Sequence, residues 1–503
     1  MNKQVIIIGS GFAGLSAACF MAKAGWKVTV LEKHTTPGGR ARQLKAGGFT
    51  FDMGPSWYWM PDVFERFFSQ FGKSVSDYYQ LVRLDPSYRI YWNDGAMDVP
   101  ARYDSLKDLF ESMEPGSAKQ LDKFLAEAAY KYKAGMNKLV YKPGRSFSEF
   151  LDPDLLKGVF RLDVFNSVKA HIAEYFKHPK LQQLMEFPVL FLGALPEKTP
   201  ALYSLMNYAD IMGGTWYPSG GMYSIVHALH KLAMELGVTF YFNENVTDMI
   251  IDKKTVQKVV SEPGYGHKSK RNYFEADAVI GGADYHFIEN SLLPKAHRSY
   301  TEAYWEKRVM APGCLLYYVG LNKRLQNLPH HSLFFDVPFE KHCEEIYISK
   351  RWPSHPLFYV SATSVTDNST APEGCENLFF LIPVAAGLSG DTEELREKYF
   401  NMIISRMEIH SGQRIKDSIA YKKSFAYSDF VYEYNAYKGN AYGLANTLWQ
   451  TAVFKPSCRS KKVKNLFYTG QLTIPGPGVP PALISGEVVA KEVVKAYGGK
   501  NDV

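Results

Sequence analysis

Val5-Ile6-Ile7-Ile8-Gly9-Ser10-Gly11-Phe12-Ala13-Gly14 is the stretch from which the fold of this chain is read. A β-branched run closed by glycine suits a buried parallel strand, and the glycines that follow have separate tasks. Gly9 permits a tight turn, Gly11 lets the backbone reach a pyrophosphate, and Gly14 lets the next helix lie close on the sheet. That helix begins at Phe12 and Ala13, where unpaired N–H groups and a partial positive charge face the diphosphate.

Gly-x-Gly-x-x-Gly by itself is a weak signal, so the context matters. Leu15 to Lys23 is Ala-rich and helix-compatible, Gly25 is a helix stop, and Val28-Thr29-Val30-Leu31 predicts a second strand ending in Glu32. Glu32 lies 32 − 14 = 18 residues after Gly14, where a carboxylate accepts hydrogen bonds from ribose hydroxyls and disfavours a 2′-phosphate. Lys33 adjoins it as a further candidate contact. The competing reading is an ordinary βαβ unit with incidental glycines.

With 503 residues the chain is long enough for two or more interleaved domains, and 46% hydrophobic with 22% charged residues describes a globular protein. Aromatics at 15% suit a long apolar tunnel and equally suit well-packed sheets. The net charge of +7 is spread along the chain, which permits attraction to anionic lipid and argues only weakly for nucleic acid; no nucleic-acid motif accompanies it, and no nucleic acid is expected as a partner. Five widely separated cysteines indicate neither a disulfide framework nor a Cys-x-x-Cys metal site. The first strand begins at once, leaving no room for a signal peptide, so the expected location is cytoplasmic, and Asn368-Ser369-Thr370 is read as a chance glycosylation match. No apolar run approaches the roughly 20 residues of a spanning helix, so any membrane contact is expected to be peripheral.

After the second strand comes Gly38-Gly39-Arg40-Ala41-Arg42, then Asp52-Met53-Gly54-Pro55-Ser56. Arg40 and Arg42 can neutralise phosphate, and the small residues at Gly38 and Gly39 let backbone approach a flat ligand. With the first motif and Glu32, this order resembles the FAD-dependent amine oxidase and carotenoid desaturase superfamily. Near the C-terminus, Asn465-Leu466-Phe467-Tyr468-Thr469-Gly470, then Ile474-Pro475-Gly476-Pro477-Gly478-Val479-Pro480-Pro481 and Ser485-Gly486-Glu487, resemble the second flavin-binding signature of bacterial-type phytoene desaturases. Thr215 to Met222 resembles that branch's Trp-x-Pro-x-Gly-Gly turn, and Ala276 to Asp284 its returning strand beside the flavin nucleotide.

The resemblance implies FAD as cofactor. It places Gly54, Pro55 and Ser56 against the isoalloxazine, Val246 of Asn245-Val246-Thr247 at the adenine, and Gly470, Gly478 and Val479 at the pyrimidine side. The implied fold is α/β: a Rossmann-type FAD-binding domain from 1–80, 206–290 and 440–503, and an α+β substrate domain with a mixed sheet from 81–205 and 291–439. Residues 105–201 are expected to be mostly helical, and Tyr88 to Val99 to form a hairpin about Asn93-Asp94-Gly95.

The implied activity is desaturation of an apolar C40 carotenoid by hydride transfer to the flavin. Phytoene-type, 1-hydroxycarotenoid or gamma-carotene-type, and diapocarotenoid substrates all stay open, as do oxygen and quinone as oxidants. No catalytic acid or base stands out, since Asp52, Asp284 and Glu487 lie in motifs where each can simply hold a turn or a flavin contact. Trp57-Tyr58-Trp59-Met60 reads as tunnel mouth or as core. His227 with His230, and His330 with His331, lack the further ligands of a metal site. Gly-x-Ser-x-Gly is absent, which removes support for a hydrolase. Between Leu155 and Phe176, Phe165, Val168, Ile172 and Phe176 share one helical face, with Lys157, Arg161, Lys169 and Lys177 nearby. That face fits the bilayer surface or the protein's own core. Amine oxidation, redox-neutral carotenoid isomerisation and flavin-free prenyl escort are the alternative functions.

Overall fold

Val5, Ile6 and Ile7 are fully buried, as a strand covered on both faces requires, and the strand Gln4–Ile8 they form lies mid-sheet. The computed structural model describes residues 3–146, 149, 163, 165–190, 193–264 and 271–498. Among the described residues the central sheet has five parallel strands, in the order Leu466–Tyr468, Ala278–Gly281, Gln4–Ile8, Lys27–Glu32 and Thr239–Phe242. These strands come from the beginning, middle and end of the chain.

The helix Phe12–Lys23 follows the first strand, and the C-terminal helix Val479–Ala496 packs along it. Their closeness depends on absent side chains. A Cβ on Gly486 would stand 2.5 Å from Ser16 Cβ and 2.6 Å from the Ala13 carbonyl oxygen, so only glycine fits the crossing. The helix Tyr223–Glu235 covers the same apolar layer through Ile225, Val226, Leu229 and Leu232.

A second sheet of seven described strands runs Ile419–Phe425, Gly313–Leu321, Glu376–Val384, Phe358–Ser361, His331–Phe334, Tyr88–Trp92 and Gly95–Val99. It is mixed, because His331–Phe334 pairs in parallel with Tyr88–Trp92 while its other pairings are antiparallel. The expected hairpin is present, with Trp92 opposite Gly95. Helices Tyr103–Met113, Ser117–Ala134, Val168–Tyr175 and Pro179–Leu190 account for most of the described part of the expected helical region.

The bilayer-facing alternative for this region is corrected here. Val168, Ile172 and Phe176 are fully buried in the protein's own core, leaving Phe165, 86% exposed, alone of that face on the surface. Phe176 packs against Phe110 and Phe124, which decides the face for protein contact rather than lipid. Residues 155–162 and 164 of that segment lie outside the described residues.

Candidate active site

The two sheets enclose a cavity of about 480 Å³. It runs from the carboxyl ends of the parallel strands, where ligands of open α/β sheets bind, to the face of the mixed sheet. Its two halves differ in chemistry.

The first half is built from glycine turns and charged groups. Gly9 has φ +94°, a left-handed conformation that glycine adopts freely, and Gly11 caps the helix Phe12–Lys23 without a capping side chain, leaving that helix's first N–H groups open to a ligand. A Cβ on Gly11 would meet nothing within 4 Å, because the residue faces the cavity. Gly39 presses on Gly11, its would-be Cβ 3.3 Å from Gly11 Cα. The guanidinium of Arg40 donates to the Asn440 carbonyl at 3.3 Å and lies 5.6 Å from the Tyr434 ring centre, while its Nε has no hydrogen-bond partner among the described residues.

Glu32 closes this half. Its buried carboxylate accepts from the Ser10 N–H at 2.8 Å, the Ser10 hydroxyl at 2.7 Å and the His34 N–H at 3.0 Å, which fixes it at the tip of its strand. Lys33 lines the same end and donates to the Tyr432 carbonyl at 3.0 Å; burial pushes its pKa down to about 8. Val246, on the strand Glu244–Asp252, completes it.

Gly54, Pro55 and Ser56 line the cavity, as do Gly470, Gly478 and Val479 of the C-terminal signature. A Cβ on Gly54 would stand 2.6 Å from the Arg40 carbonyl oxygen, so this turn also needs glycine. Behind Gly476 lies the buried Lys455, which donates to Asn446 at 2.9 Å; burial pushes its pKa down to about 7.

The second half is an apolar arm lined by Phe187, Leu333, Phe335, Cys343, Leu357 and Leu381 among others. Trp57 and Trp59 line this half and also pack on the core. Beyond Trp57 and Trp59, residues such as Phe187, Leu333, Phe335 and Leu357 carry no sequence motif, because scattered apolar residues give the same signal whether they face a cavity or each other.

Every residue expected at the cofactor lines this cavity except Gly14. Gly14 serves packing instead, since a Cβ there would stand 2.1 Å from the Gly9 carbonyl oxygen. The three carboxylates in the motifs are occupied structurally. Asp52 accepts from the Met222 and Tyr223 N–H groups at 2.7 and 3.0 Å, Asp284 from the Phe287 and Tyr437 N–H groups at 3.2 Å each, and Glu487 pairs with Arg66 and Lys491 at 2.7 Å each. Of the histidines, His230 packs against Phe240 and Phe242 while His331 opens a strand of the second sheet with His330 just before it, and among the described residues no three His, Cys, Asp or Glu side chains are grouped to hold a metal.

The fit to an anionic, flat, two-headed ligand is good: open helix N–H groups, an unpartnered Arg40 Nε, and a glycine whose missing side chain faces the cavity. The chain belongs to the flavin containing amine oxidoreductase family, whose model matches residues 12–494, and the cofactor this geometry receives is a flavin. Within that class its similarity is to carotenoid enzymes. It is 40% identical to a carotenoid 3,4-desaturase of Haloarcula japonica over 496 residues, covering 98% of each chain. It is 33% identical to a zeta-carotene-forming phytoene desaturase of Myxococcus xanthus over 502 residues, covering 98% of this chain and 94% of that one. Among solved structures, an oxidoreductase from Methanosarcina mazei shares the fold at a TM-score of 0.62 and 15% identity, over 96% of this chain and 98% of that one.

Proposed function

We propose that this protein is an FAD-dependent carotenoid desaturase that introduces C=C bonds into a C40 polyene. The observation that carries the reading is the continuity of one cavity, glycine-lined and charged at one end and apolar at the other. Similarity to a 3,4-desaturase at 40%, against 33% to a phytoene desaturase, makes 3,4-desaturation of a 1-hydroxycarotenoid-type substrate the first activity to assay.

In this reading the chain divides as the sequence suggests: 1–80, 206–290 and 440–503 hold FAD, and 81–205 with 291–439 hold the carotenoid. Glu32 receives the ribose hydroxyls, the turn Gly9–Ala13 and Arg40 receive the diphosphate, Val246 meets the adenine, and Gly54–Ser56 lie against the isoalloxazine, with Gly470, Gly478 and Val479 at its pyrimidine edge. Bound FAD supplies the hydride acceptor. The apolar arm positions an allylic carbon, whose cation is spread over the polyene, and keeps water from it.

An apolar substrate of this kind is taken from a membrane, so the protein is read as peripheral on its cytoplasmic face. Trp449, 71% exposed, and Phe454 make a surface contact at 5.4 Å that suits an interface, and no described helix is long and apolar enough to cross a bilayer.

The test is anaerobic mixing of the purified yellow protein with 1-hydroxycarotenoid, phytoene and diapophytoene, following flavin bleaching and polyene absorbance together, with the released cofactor identified by mass. Bleaching by amines and by none of the carotenoids transfers the protein to amine oxidation. A colourless protein that holds prenyl lipid transfers it to the escort function.

A further inference from the structure

Tyr359 and His331 form a buried pair that the reading above leaves without a task. Tyr359, on the strand Phe358–Ser361, lines the apolar arm, and its hydroxyl meets His331 Nδ1 at 2.7 Å. His331 lies opposite Ser361 on the neighbouring strand, fully buried, with its ring stacked on Trp57 at 4.1 Å between centroids and 17° between planes. Its Nε2 has no hydrogen-bond partner among the described residues. Burial pushes the imidazole well below its ordinary range and the Tyr359 phenol above its own, so both are neutral at rest.

His342, Cys314 and Cys343, which also line the cavity, are committed or inert. His342 accepts from the Leu357 N–H at Nδ1, at 2.7 Å, and its Nε2 meets the Pro383 carbonyl at 3.0 Å. Burial pushes the Cys314 and Cys343 thiols up to about 12. Among the described hydroxyls of the arm, that of Tyr359 leads to a nitrogen base outside the cavity wall.

We propose that Tyr359 and His331 are the proton acceptor of the desaturation, Tyr359 touching the substrate and His331 storing the proton behind it. The inference rests on the desaturase reading. Once the hydride has left one carbon for the flavin, the C–H bond on its neighbour breaks and that electron pair becomes the new C=C bond. The proton joins Tyr359 Oη while the phenol's own proton crosses to His331 Nδ1. A polyene cation is acidic enough to protonate even a buried imidazole, and the same burial returns the proton through Tyr359 to water that enters the arm once product has left.

The test is single turnover under anaerobic conditions, in H2O and D2O, on the flavin-loaded enzyme. Wild type is expected to form the polyene more slowly in D2O. Tyr359→Phe, which keeps the ring, is expected to retain flavin content and carotenoid affinity, to form product about 100-fold more slowly, and to lose the D2O effect. His331→Ala is expected to slow the same step and to be partly rescued by added imidazole, which a packing role would not produce. Tyr359→Phe with wild-type rate and D2O sensitivity, or a loss wholly explained by weaker flavin or carotenoid binding, overturns the relay. Wild type that no carotenoid bleaches overturns the desaturase reading itself, so the two failures are separable.

Discussion

The Ser16 hydroxyl donates to the Leu483 carbonyl at 2.6 Å, tying together residues 467 positions apart. Both belong to helices whose N-terminal ends open on the cavity, so the site exists only when the two ends of the chain have packed on each other.

Gly486 sets that packing. Gly486→Ala forces a methyl group against Ala13 and Ala17 backbone, and overpacking of this kind costs about 1–3 kcal/mol. The expected outcome is a lower Tm together with weaker flavin retention, read by thermal unfolding and by the absorbance ratio of flavin to protein.

Gly11 and Gly14 separate binding from folding. A Cβ at Gly11 meets no protein atom within 4 Å, so Gly11→Val is expected to leave the fold intact while yielding colourless protein, because the side chain fills the space of the diphosphate. Gly14→Ala meets the Gly9 carbonyl and is expected to lower Tm or soluble yield even without flavin. Circular dichroism with flavin quantitation distinguishes the two.

Lys455 predicts a pH effect. Its folded pKa of about 7 lies below the ordinary 10.5, so its contribution to stability is present above the unfolded pKa and is lost as pH falls toward 7. Lys455→Met removes the buried ammonium and is expected to gain stability on the order of a few kcal/mol at pH 7, less what Asn446 loses as a partner. The gain over wild type is expected to shrink between pH 7 and pH 9, measured as the difference in Tm; a gain that is constant with pH contradicts a neutral Lys455.

Cys343 lines the apolar arm away from the glycine turns. Cys343→Trp fills the arm and is expected to leave flavin content unchanged while lowering kcat/KM for a C40 carotenoid by at least roughly tenfold, about 1.4 kcal/mol of transition-state stabilisation. Steady-state assays with long and short polyenes check whether the loss grows with chain length.

The glycine turns, Glu32 and the C-terminal signature were readable before any coordinates, because a left-handed φ at Gly9 or a close approach at Gly54 is a local demand that few residues meet. Of the sixteen positions expected at the cofactor, the glycines of the first motif and Glu32 follow from spacing, while Gly54, Pro55, Ser56, Val246, Gly470, Gly478 and Val479 follow from the family resemblance; all but Gly14 line the cavity. The face of Val168, Ile172 and Phe176 was ambiguous, since an amphipathic stripe has the same periodicity against lipid as against Phe110 and Phe124.

From sequence alone came the first strand, turn and helix of the parallel sheet and the end of the cavity that a dinucleotide fits, consequences of short-range spacing, while the sheet's three-part origin along the chain came from the family resemblance. Tertiary structure alone decided the apolar arm and the Tyr359–His331 pair. Their residues lie on separate strands and loops, and whether such side chains meet each other or surround an empty space depends on how far apart two sheets stand, a distance no local pattern encodes.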